Sequence, residues 1–145
     1  MTEPEENRAT LMPILTAVAV VAIALLGIFV LRLFRGDSMP DADAVARAVV
    51  GQNDALQRAS YTDFRTFTCI AQQGVETQVR ADQKQSVSAK GHRYVDDVKD
   101  IVVTGDQATA TVVYHFEKSA DAKIDAPMTV VRENGEWKVC SPGPR

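Results

Sequence analysis

The sequence holds only two cysteines, Cys69 and Cys140, and no Cys-x-x-Cys pair. Two distant histidines, His92 and His115, add too little to assemble the clustered ligands of a zinc site. No Lys/Arg-rich run interleaves with aromatics, so the footprint of a nucleic-acid binder is missing. No large acidic block suggests a disordered tail. A phosphate-cradling glycine loop and a Ser-His-Asp spacing are missing too. On these grounds no cofactor, no metal and no catalytic residue is assigned. The net charge is −3, and from Gly36 onward 13 Lys/Arg stand against 16 Asp/Glu, again −3. The apolar start therefore conceals no basic domain.

What is present is 145 residues, room for one domain plus accessories, and one long apolar run. From Leu11 to Leu31 no residue is charged. Twenty-one residues rising about 1.5 Å each give roughly 31 Å, the thickness of a bilayer's hydrocarbon core. The run is apolar on every face, unlike a core helix of a soluble protein. It exceeds the apolar region of a signal peptide and continues into Arg32-Leu33-Phe34-Arg35, which is no cleavage site. The expected organisation is a short tail at 1–10, a transmembrane helix at 11–34 in contact with the lipid bilayer, a linker at 35–41 and a domain at 42–145. Orientation is contested. Arg8 and the amino terminus precede the span and Arg32 and Arg35 follow it, so the positive-inside rule favours a cytoplasmic domain by about one charge.

Within the domain, Ser38 or Asp41 offers a cap for a helix running to about Ala59, with Val45, Val49, Leu56 and Ala59 on one face. A second short helix is expected near Thr62, carrying Phe64, Phe67 and Ile70 at spacing three. Val75 and Val79 suggest a third through the polar run to Lys84. Beyond Gly91 the period changes. Val98–Thr104 reads as a strand ending in a Gly105-Asp106 turn. Ala108, Ala110, Val112, Tyr114 and Phe116 alternate with Thr109, Thr111, Val113, His115 and Glu117, the clearest strand in the chain. A polar connection over 118–125, a strand over 126–132, an Asn134-Gly135 hairpin turn and a closing strand from Trp137 to Cys140 complete the pattern. Helices first and an antiparallel meander second predict an α+β fold, with helices packed on one face of a curved antiparallel sheet.

The helix-rich half, the GDQATATVVYHF strand and the closing ENGEWKVC resemble the nuclear transport factor 2-like (cystatin-like cone) superfamily. More narrowly, the chain is similar to small actinobacterial single-pass membrane proteins with a lumazine-binding-like domain. The resemblance implies a cone of helices on a sheet and a domain outside the cytoplasmic membrane. Some relatives are isomerases or dehydratases with an acidic base in the cone and a Tyr or acid for an oxyanion, and many only bind or scaffold. In that layout the second helix and the last strand are neighbours, which implies a Cys69–Cys140 disulfide. Two buried thiols are the alternative and would suit a cytoplasmic domain. Alternation puts Cys140 on the side of Lys138, opposite Trp137 and Val139, so a twist or bulge is expected if Cys69 approaches from the helical side. A bridge would place the domain in an oxidising compartment.

The titratable residues to follow are His92, His115, Tyr61, Tyr94, Tyr114, Asp96, Asp97 and Asp100, each read first as a surface residue. The function expected is a membrane-anchored extracytoplasmic binding or scaffold domain for a protein partner or a small apolar ligand, as an accessory subunit of an envelope membrane complex. The alternative is an isomerase-like enzyme, or a carrier, acting on a small lipid-like ligand in the cone.

Overall fold

A computed structural model describes residues 20–27 and 39–142. Residues 20–27 form helix α1, every side chain of which is exposed. Among the described residues no helix is long and apolar enough to cross a membrane. Apart from residues 20–27, the span expected at 11–34 lies outside the described residues, as do the tail at 1–10 and the linker up to Ser38.

The second unit is the α+β domain. Its helices are α2 (Asp41–Gln57), α3 (Tyr61–Phe67) and α4 (Glu76–Lys90), with a 3-10 turn at Ile70–Gln72. Strands β1 (Arg93–Thr104), β2 (Gln107–Phe116), β3 (Ser119–Glu133) and β4 (Glu136–Val139) form an antiparallel sheet in sequence order.

The α2 helix supplies the main apolar stripe. Val45, Ala48, Val49, Gln52 and Ala55 are buried, spaced to fall on one face. Leu56 is only half-buried, and Ala59 lies past the helix end at φ 54°, exposed. The helix starts at Asp41 behind Pro40, which caps it without a side-chain bond. The Asp41 carboxylate instead accepts from Trp137 Nε1 at 3.1 Å and from Arg132 Nη2 at 2.7 Å. One acidic side chain at a helix start thus ties α2 to the last hairpin, where negative charge suits the helix dipole.

The expected alternation of β2 holds. Ala108, Ala110, Val112, Tyr114 and Phe116 all lie within the core, with Met128, Val130, Trp137 and Val139 from the neighbouring strands. Val45, Val112, Val130 and Val139 are among the fully buried side chains, each contributing about 1.5–3 kcal/mol by removal from water. Asn134 and Gly135 take φ 53° and 82° between the paired Glu133 and Glu136, the double positive φ of a type I′ hairpin.

Three sequence expectations are corrected. First, β3 begins at Ser119, so residues 119–125 are strand and not a loop. Every side chain from Ser119 to Asp125 is exposed, so this half-strand has no buried face to print an alternation; its backbone ladder to β2 holds it, with surface ion pairs from Asp125 to Lys99 and from Lys123 to Asp96. Second, β1 starts at Arg93, five residues before the expected Val98. Register shifts between Val95 and Asp97 and between Lys99 and Val102 interrupt its alternation, and Asp100 sits at φ 54° in the second of them. Third, Ile70 does not continue the face of Phe64 and Phe67. The helix ends at Phe67, Thr68 turns extended, and Ile70 is 74% exposed.

That third departure is caused by the sheet edge. Thr68 pairs with Val139 in a parallel bridge, and Cys69 N–H donates to the Val139 carbonyl at 2.9 Å. Cys69 therefore arrives along the open edge of β4, in the plane of the sheet. The disulfide to Cys140 forms across a Cα–Cα distance of 5.2 Å. The face on which alternation places Cys140 is irrelevant to that approach, so neither a bulge nor a twist is needed.

Candidate functional site

A cavity of about 560 Å³ lies between α2, α3 and α4. Its body-side wall is the half-buried Leu56 of α2 and the buried Phe64 of α3. The opposite wall is α4, which turns Val79, Gln83, Ser86 and Ala89 toward the space. Gln52 and Arg93 stand on the sheet side, and Ser141 and Pro142 close one end.

The polar groups of that floor are held in place. Gln52, 4% exposed on the apolar stripe of α2, donates from Nε2 to Thr68 Oγ1 at 2.9 Å. Arg93 Nε donates to Asn53 Oδ1 at 2.7 Å, and Asn53 Nδ2 returns a bond to the Arg93 carbonyl at 3.2 Å. The Arg93 guanidinium lies 5.7 Å from the centre of the Tyr114 ring, within cation–π range. Burial pushes its pKa down, with the field of Tyr114 acting the other way; an arginine nevertheless keeps its charge. The cavity thus combines one apolar wall, one amide- and hydroxyl-bearing wall and a positive floor.

The candidate residues read from sequence do not converge there. His115 Nδ1 lies 2.8 Å from Asp96 Oδ2, with Lys123 Nζ 3.6 Å from the other oxygen, and the His115 ring stacks on Tyr94 at 5.4 Å. The hydrogen bond from His115 is the largest cause holding the Asp96 carboxyl below its usual range. This cluster is on the sheet face away from the helices. Tyr114 is core, and Tyr61 O–H donates to the Gly74 carbonyl at 2.8 Å. His92 is exposed and meets Gln57 at 3.2 Å; Asp97 caps the Val98 amide at 2.8 Å. No group of three or more His, Cys, Asp or Glu among the described residues could hold a metal ion.

Sequence reasoning missed Gln52, Asn53 and Arg93. Two signals were available. Gln52 interrupts the apolar stripe three residues after Val49, and Arg93 shares strand parity with Val95.

No family model and no curated protein matches this chain. Among solved structures, it is similar to a Campylobacter jejuni protein provisionally described as an NTF2-like transpeptidase. The two share 14% identity with a TM-score of 0.46, over 63% of this chain and 93% of the other. Nothing about this chain's chemistry follows from that likeness.

Proposed function

We propose that this chain is a membrane-tethered binding domain of the cell envelope whose cavity takes a small amphipathic ligand. On this reading residues 11–34 cross the cytoplasmic membrane, the amino terminus is cytoplasmic and the domain lies outside. The cavity carries the proposal: about 560 Å³ falls in the range of small-molecule sites, and apolar and hydrogen-bonding walls face each other across it. The Cys69–Cys140 bridge supports export, because disulfides persist in oxidising compartments. It outweighs a flanking-charge margin of about one residue. The order of helices and meander supports membership of the nuclear transport factor 2-like superfamily within the same proposal. Tethering would concentrate the domain beside a membrane complex it serves as an accessory subunit.

The isomerase alternative draws no support from the cavity. The carboxylates held below their usual range, Asp41, Asp63 and Asp96, lie outside it, and its one carboxylate is Asp82 on the exposed helix α4. Native mass spectrometry of the full chain, extracted from membranes in mild detergent, tests the binding reading. A small-molecule adduct is expected on the wild type and lost in Leu56→Trp, which fills the apolar wall. An unliganded mass for both proteins would overturn it.

A further inference from the structure

We infer that α4 is a lid over the cavity, pivoting at its carboxyl end and latched at its amino end by Arg80. The inference rests on the binding reading for its purpose, but not for its geometry. A packed helix normally buries an apolar stripe, yet none of the 15 residues of α4 is buried. Its cavity face holds Val79 and Ala89 but also Gln83 and Ser86, so little hydrophobic attraction seals it to the body. What keeps it helical is local: Arg80 Nε pairs with Glu76 at 2.8 Å, and Gln78 bonds Asp82 at 2.7 Å, each four residues apart.

The two ends differ. At the carboxyl end Gly91 adopts φ 81°, and a Cβ there would stand 2.6 Å from Glu117 Cβ, so only glycine fits. Around it the Lys118 amide donates to the Lys90 carbonyl at 3.1 Å, Lys118 Nζ to the Ser88 carbonyl at 2.7 Å, and the His92 amide to Glu117 at 3.1 Å. That end is pinned to the β2–β3 turn. The turn before the amino end is tied to the body by Gln73 Nε2 to the Thr68 carbonyl at 3.0 Å and Tyr61 O–H to the Gly74 carbonyl at 2.8 Å, but α4 itself is held there by one exposed side-chain bond, Arg80 Nη1 to the Ala59 carbonyl at 2.7 Å. That bond sets a cation against the carboxyl end of α2, where the helix dipole favours positive charge. Exposed bonds of this kind are readily exchanged for water, so the latch can open while the pivot holds. Closure on a ligand would bring Val79 and Ala89 against its apolar part and leave Gln83 and Ser86 to bond its polar part. The ligand class is therefore a short amphiphile with a hydroxyl- or amide-bearing head.

Pulsed dipolar spectroscopy on the full chain in lipid nanodiscs tests this, with spin labels at Lys84→Cys on α4 and Thr109→Cys on the outer face of the sheet. Adding Arg80→Ala should broaden the distance distribution and shift its mean, with the melting temperature of the domain nearly unchanged. Octyl glucoside below its micelle concentration should narrow the distribution. Equilibrium dialysis of the same detergent reports binding separately. Binding without any change in distance, or a distribution indifferent to Arg80→Ala, would overturn the lid. Arg80-dependent motion with no detergent bound would overturn the binding reading and leave the lid standing.

Discussion

Trp137 is where several forces meet at one residue. It is 7% exposed, donates to Asp41 and carries the Arg132 guanidinium 4.5 Å from its ring centre. Trp137→Ala should cost about 3–5 kcal/mol in denaturant unfolding of the domain, since burial is lost and a cavity remains. A midpoint shift within error would mean the ring is dispensable to the core. The three shifted carboxyls give a second expectation. Asp41, Asp63 and Asp96 are held below their usual range chiefly by hydrogen bonds from Trp137, Ser60 and His115 respectively. Each binds its proton less tightly when folded than when unfolded. The stability they confer is therefore full above about pH 4 and lost as pH falls through the lowered folded values. Melting temperature should fall in that acid window, and Asp96→Asn should flatten part of the fall. The buried position of Trp137 was legible from its parity with Val139. Its bond to Asp41 was not, because the residues lie 96 positions apart and nothing local links them.

At the scale of elements, the bridge joins the α3 exit to the end of β4. Cys69→Ser should destabilise the domain by about 2–5 kcal/mol, Cys140→Ser by a similar amount, and the double variant by little more than either alone. Summed costs would instead indicate two independent buried thiols. Legibility followed burial. β2, with one face fully inside, was readable residue by residue, and so was the Asn134-Gly135 turn that requires positive φ. The first half of β3 was not, since a strand exposed on both faces has no pattern beyond backbone pairing. β1 was partly hidden by two bulges, and α4 showed only weak periodicity because it buries nothing. The cavity was unreadable for a related reason: one of its walls is a helix that buries none of its own residues, so no stripe marks it.

At the scale of the whole molecule, the anchor and the compartment are separable tests. Ala22→Arg puts a charge near the middle of the proposed span, at about 2.5–3.5 kcal/mol on the insertion scale, and should reduce the fraction retained in carbonate-washed membranes. Retention equal to wild type would mean that other contacts hold the chain. A reporter fused after Arg145 and active only outside the cytoplasm should light up. Activity of a cytoplasm-only reporter at the same point would invert the orientation.

The bridge also fixes what happens when the chain is cut. Cys69 and Cys140 are 71 positions apart, and α4 and all four strands lie between them. A protease that clips the exposed α4, or any hairpin turn, opens a ring and severs nothing. Both pieces stay joined through sulfur, and through residue 69 they stay joined to whatever precedes the domain. Such a nicked protein would migrate as one species without reductant and as two with it, and the carboxyl-terminal piece would come free of the rest only after reduction.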